Sequence, residues 1–237
     1  MKEYNWPVNE QITDIFKNDI SDNLLDVSSI KYVVIPIQDT ANDDDFFIYY
    51  GKRDYFIQEM RTVKYLNEIN TGTKELLSFE NKGYLGHFYI SSINQSLGKL
   101  DKSKISSVNY EFVNPTEYKI SFDSDDSFYL YFSEAYNPNW ILIQNFNWYK
   151  DENKLFDDTH FKAYGFLNGW YIDPDELTKN KDGFYELTLY FQPQSYFYIG
   201  LFLTGTTLIG CFSYLIRDWR KKMQGKVGET RDKSQGK

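Results

Sequence analysis

From Tyr196 to Ile216 the chain runs 21 residues without a charge. A helix rises about 1.5 Å per residue, so this run is roughly 30 Å long, the thickness of a bilayer's hydrocarbon core. A buried core helix is the competing explanation. Against it, Tyr196, Phe197 and Tyr198 at one end and Tyr214 and Trp219 at the other have the placement of interfacial aromatic belts. The run therefore predicts a transmembrane helix over 196–216, and this constrains everything before it to lie on one side of a membrane.

The 21 residues that follow hold eight Lys or Arg against three acidic residues, a net charge of +5, while the whole chain carries −8. Residues 1–216 are thus at −13. Five of those basic residues lie within ten positions of the span, which by the positive-inside tendency predicts a cytoplasmic tail and an extracytoplasmic domain on a cell membrane. The start, "MKEYNWPVNEQITDIFKNDI", has neither a basic segment nor an apolar one that would act as a secretory signal. The expectation is that the chain forms the C-terminal part of a larger membrane assembly.

About 195 residues precede the span, enough to bury a real core. Their acidity argues against nucleic acid as a partner, because phosphate binders carry a basic patch. Cys211 is the only cysteine and lies within the apolar run, which excludes an intrachain disulfide. Aromatic residues make up 19% of the chain, a composition that suits strands and surfaces that stack on sugars.

Along the chain, Ile12, Ile15, Phe16 and Ile20 are spaced to form one apolar helical face. The segments "IKYVVIPIQ" and "FFIYYG" read as strands, and "DYFIQEMRTVKYLNEINTG" reads as a helix carrying Phe56, Met60, Val63 and Leu66 or Asn67, with Asp54 as N-cap and Gly72 beyond its end. Strands "KELLSFEN" and "GHFYISSI" follow. From about residue 106, seven short segments separated by Asn, Pro, Asp and Gly predict an antiparallel sandwich: "SVNYEFV", "EYKISF", "SFYLYFSE", "WILIQNF", "HFKAYGF", "GWYI" and "FYELTLYFQ". The fold class is mainly β: a β-sandwich over 93–195 with a smaller α+β part over 1–92, then the span over 196–216 and the basic tail over 217–237. The linker "QPQS" is so short that it holds the sandwich against the bilayer.

Catalytic signatures are sparse. The two histidines, His87 and His160, fall in strand-like segments, and no Ser-His-Asp, HExxH or Cys-His spacing is present. Acidic clusters such as "NDDDFF" and "FDSDDSF" do not follow the calcium-loop pattern and sit where turns are expected, so no metal or cofactor is predicted. Glu134 stands out, following an apolar strand and preceding the aromatic turn "AYNPNW". Asn168, Gly169 and Trp170 read as a tight hairpin. Trp140 and Trp170 suit either a sandwich core or an open stacking platform.

The succession "LLDVSSIKYVVIP", "LLSFENKGYLGHFYIS", "NPTEYKISF…FYLYFSEAYNPNW" and "HFKAYGFLNGWYI", then a strand, one span and a basic tail, resembles the C-terminal extracytoplasmic region of multispan membrane glycosyltransferases. These are the C-type enzymes that use polyprenyl-phosphate sugars, with relatives in teichoic acid glycosylation and arabinofuranosyl transfer. The resemblance implies a β domain likened to carbohydrate-binding modules. Their catalytic acid belongs to a first extracytoplasmic loop that has no counterpart here, so the resemblance transfers no catalytic residue. Its implied role is to position a glycan or lipid-linked sugar near the bilayer. The carbohydrate-binding candidates are Trp140, Trp170, Tyr171, Asn168, Glu134 and His160. The alternative is an interaction module packed on a multispan partner, for which Gly200 with Thr204 and Thr206 with Gly210 would let a helix approach closely.

Overall fold

A computed structural model describes residues 9–37, 53–145 and 154–235. The chain is mainly β, with three antiparallel sheets and a C-terminal helix.

Helices α1 (Asn9–Phe16) and α2 (Asp19–Val27) open the fold, and the Asn18 side chain caps α2 by accepting the Ile20 N–H at 3.0 Å. Strand β1 (Tyr32–Pro36), helix α3 (Arg53–Met60) and strands β2 (Leu66–Ile69) and β3 (Leu76–Asn81) follow. These strands form a three-stranded sheet in the order β1-β3-β2. Leu25, Ile35, Met60, Leu66 and Phe79 are buried together beneath it. Of the apolar face expected along 12–20, Phe16 packs against this core while Ile15 and Ile20 are exposed.

The helix expected to run through Leu66 stops at Met60. Consecutive turns, Thr62 N–H to Glu59 and Val63 N–H to Met60, carry the chain out of α3, and Leu66 opens a strand. Met60, Val63 and Leu66 are buried in the same core, so a spacing that reads as one helical face is met by a helix end, a turn and a strand. Asp54 lies within the first turn and not at the cap. The expected strand "FFIYYG" falls outside the described residues.

Ten strands follow: β4 (Phe88–Ser91), β5 (Ile105–Ser107), β6 (Asn109–Asn114), β7 (Glu117–Phe122), β8 (Phe128–Ala135), β9 (Trp140–Ile143), β10 (Lys154–Leu155), β11 (His160–Ala163), β12 (Leu167–Ile172) and β13 (Tyr185–Phe191). They make two five-stranded sheets, β10-β9-β13-β7-β6 and β11-β12-β8-β4-β5. Both sheets contribute to one core, with Ile120, Leu142, Leu187 and Leu189 from the first and Phe88, Leu130, Phe132 and Trp170 from the second. "SVNYEFV" is not one strand. The chain crosses from the edge of one sheet to the edge of the other at Val108, which is buried in the shared core. β4 belongs to this sheet pair, which moves the division expected at 92 to the segment between Asn81 and Phe88.

The hairpin expected at Asn168–Trp170 lies a few residues earlier. Tyr164 and Gly165 both have positive φ, and the Phe166 N–H donates to the Ala163 carbonyl, so the tight turn joins β11 to β12 and leaves Asn168–Trp170 inside β12.

An ion pair on a buried carboxylate ties the two units together. Asp26 of α2 has no exposed surface; its carboxylate accepts the Asn81 amide at 2.8 Å and pairs with Lys102 at 2.5 Å. A Cβ at Gly83 would lie 2.8 Å from both Asp26 Oδ1 and Lys102 Nζ, so the close approach demands glycine. Finally, helix α4 (Pro193–Gln235) begins three residues before the expected span, with Pro193 at a position where its missing N–H costs nothing. Its Pro193–Lys222 part is long and apolar enough to cross a membrane, and none of that apolar stretch is buried against the domain.

Candidate functional site

Strand register fixes which end of the sheets faces α4. The Phe191 N–H, at the end of β13, donates to the Thr116 carbonyl in the β6–β7 turn, and the Gln192 N–H donates to the Asn139 carbonyl in the β8–β9 turn. The ends of β6, β8 and β11, the starts of β4, β7, β9 and β12, and the root of α4 therefore share one end of the fold.

At this end β8 is irregular. Asn168 of β12 pairs with Phe132, yet the next pair is Leu167 with Ala135, so Ser133 and Glu134 bulge out of the ladder. A bulge re-aims side chains that simple alternation would send to opposite faces. Here Ser133 Oγ lies 2.9 Å from His87 Nδ1, while Glu134 Oε1 lies 3.7 Å from His87 Nε2. The Tyr118 hydroxyl is 3.4 Å from Nε2. Phe88, Tyr110, Tyr118 and Phe132 place their rings around the imidazole at 4.9–6.1 Å. Burial pushes the His87 pKa down, with the Glu134 carboxylate opposing that shift, and burial pushes the Tyr118 phenol up. The result is a neutral imidazole and an intact phenol beside a half-exposed carboxylate: two hydrogen-bonding rings and one charge at the solvent edge.

Asn168 holds the bulge in place. Its amide donates to the carbonyls of Glu134 at 2.9 Å and Ala135 at 3.2 Å, and its Oδ1 accepts the Asn137 N–H at 3.0 Å. His160 Nε2 is 3.2 Å from the same oxygen and therefore carries the proton, while its ring stacks on Trp170 at 4.3 Å, nearly parallel.

Five of the six carbohydrate-binding candidates thus meet at one place, in roles unlike those expected. Asn168 and Trp170 have no exposed surface and cannot touch a sugar. Trp140 is buried, packed against Tyr118, Phe132 and Phe191. These three are corrected from ligand contacts to supports, because the core between the sheets needs their bulk and the bulge needs an amide. His160 is half-buried and engaged by Asn168, Trp170 and Tyr136. Glu134 is half-exposed, with its carboxylate beside His87 at the solvent edge of the cluster. Tyr171, 38% exposed, sits apart on β12 against Tyr129. Sequence reasoning missed His87, Ser133, Tyr110, Phe112 and Tyr118, which four separate stretches of chain bring together.

Two cavities elsewhere on the molecule lack this combination. One of about 510 Å³ lies between α1–α2 and the α3–β2 turn, lined by Lys17, Asp22 and Tyr65 among others. Another, of about 300 Å³, lies on the outer face of the β9-β13-β7 sheet, walled by Gln144 and Thr178 and presenting no aromatic face. Among the described residues no three His, Cys, Asp or Glu side chains converge as a metal group. The chain matches no known protein family, and comparison with curated proteins and with solved structures returns no significant match.

Proposed function

We propose that this chain is a membrane-tethered β-sandwich that binds a sugar-bearing ligand, such as a lipid-linked glycan, at the surface of the bilayer without itself catalysing a reaction. The reading places the domain outside the cell membrane as part of a glycosyltransferase-like cell-envelope assembly. One observation carries it: the His87–Ser133–Glu134–Tyr118 cluster, walled by Tyr110 and Phe112, lies at the end of the sheets from which α4 leaves. Sugars are held by aromatic C–H stacking combined with neutral and carboxylate hydrogen-bonding groups, and the exposed Tyr110, the His87 ring and Glu134 supply that set. Catalysis is disfavoured by the geometry. Ser133 contacts Nδ1 and the carboxylate stands beyond hydrogen-bond reach of Nε2, unlike a nucleophile–base–orienter relay.

Titration calorimetry of the full chain in lipid nanodiscs against a panel of envelope glycans and polyprenyl-phosphate sugars tests this. Tyr110→Ala and Glu134→Gln each should weaken binding about tenfold, the loss of one stacking or charged contact. Binding that survives both substitutions unchanged, or no binding to any glycan, overturns it. A second reading, a module packed on a multispan partner, is favoured by the free apolar surface of α4 and by its Gly200, Thr204, Thr206 and Gly210 positions. Co-purification of a membrane partner that is lost on Gly200→Ile and Gly210→Ile would select it.

A further inference from the structure

We propose that the outer edge of β6, through Phe112 and Val113, inserts into the lipid headgroup region and docks the domain on the bilayer. Among the described residues β6 is an edge strand with β7 as its one neighbour, and along it Phe112 is 57% exposed and Val113 41% exposed. Such a pair on a soluble sheet edge is a liability unless something covers it. Its position names the cover. Val113 lies at the register shift of β6, next to the Asn114–Glu117 turn, and that turn is hydrogen-bonded to the last residue of β13, two residues before Pro193. The span and the exposed edge leave the domain at the same level, and the exposed Tyr196, Phe197 and Tyr198 on the first turns of α4 mark that level as interfacial. The segment between β13 and α4 is the single residue Gln192, itself held by Asn139, so the domain has no flexible tether with which to stand off. The charges beside the edge are Glu111, paired with Lys119 of β7, and the half-buried Glu117, a set with no net positive charge, so the contact is apolar insertion and not attraction to anionic lipid.

The docking rests on α4 crossing a bilayer but not on any sugar ligand. It is tested on the full chain carrying Cys211→Ser, with Phe112→Cys or Val113→Cys labelled by an environment-sensitive fluorophore and incorporated into phosphatidylcholine vesicles. Phe184→Cys is the control: Phe184 is exposed at the opposite end of β13, about 23 Å away at 3.3 Å per residue. The expected result is a blue-shifted emission quenched by lipids brominated near the headgroup at 112 and 113, with neither effect at 184 and no strengthening when phosphatidylglycerol is added. Because both sites are exposed, folding is verified by an unchanged thermal melt, and the Val113 label stands in should the Phe112 variant fail to fold. Emission at 112 and 113 matching that at 184 in incorporated protein overturns the docking, as does a response seen only with anionic lipid. Failure to incorporate at all overturns the tether instead.

Discussion

His87 and Lys102 show how much a single side chain decides here. Both histidines are held below their ordinary pKa by burial, His87 with Glu134 opposing and His160 with the Asn168 hydrogen bond opposing. With folded values depressed, the unfolded chain takes up protons that the folded one refuses. The histidine contribution to stability is therefore complete above about pH 6.5 and is lost as pH falls from there toward the folded values. Urea unfolding between pH 5 and 7 should show this decline, and His87→Gln should flatten it. Glu134→Gln removes the opposing charge, so the His87 titration followed by NMR should move to still lower pH; an unmoved titration would show that the 3.7 Å contact does not form. Lys102 poses the complementary case. Lys102→Met strands the fully buried Asp26 carboxylate, and a loss of about 3 kcal/mol in chemical denaturation is expected, the lower end for a broken buried pair because Lys102 is itself part-exposed. Asp26→Asn should restore part of that loss in the double variant.

At the scale of elements, the bulge in β8 and the hairpin β11–β12 work together. Asn168 anchors the bulge from β12, and the same strand carries Gly169 directly opposite Phe161. A Cβ at Gly169 would lie 2.7 Å from the Phe161 ring, in a stretch of the sheet where neither backbone can move without disturbing the Asn168 bonds. Gly169→Ala should destabilise by about 1–3 kcal/mol through overpacking, and Phe161→Ala should recover much of that loss in combination, as thermal melts of the four proteins would reveal. The sequence made Asn168-Gly169-Trp170 look like a turn because Asn-Gly is the strongest short hairpin signal. The true turn, Tyr164-Gly165, is a weaker one, and it prevails because it lets β12 place Trp170 in the shared core and Asn168 against the bulge. Propensity is a local preference of a few tenths to about 1 kcal/mol, and burying a tryptophan outweighs it.

For the whole molecule, the arrangement that matters is one end of two sheets set at the root of an apolar helix. The basic tail predicts that this domain faces outward and the tail inward. In intact cells, and in a Cys211→Ser background, a cysteine at the exposed Asp126 should react with a membrane-impermeant maleimide, whereas one at Ser234 should react only after permeabilisation; the reverse pattern would place the domain in the cytoplasm. That result bears directly on the proposed function, which requires the domain and its glycan to share a compartment.

What the residues determined by themselves is the part governed by local pattern. An uncharged run long enough to cross a bilayer, alternating segments such as "FYELTLYF" with Tyr185, Leu187 and Leu189 all reaching the core, and acid-rich connecting stretches are legible because period, length and charge act over a few neighbouring positions. The site was legible only as a neighbourhood. Glu134, Asn168, His160, Trp140 and Trp170 were drawn out by their unusual settings, yet the placing of Glu134 and Asn168, and the partnership of His87 with Ser133, depend on a two-residue register shift between strands more than thirty positions apart. Tertiary structure alone decides such things, because burial and hydrogen-bond geometry are properties of which strands meet and in what register, and no single segment of chain contains that information.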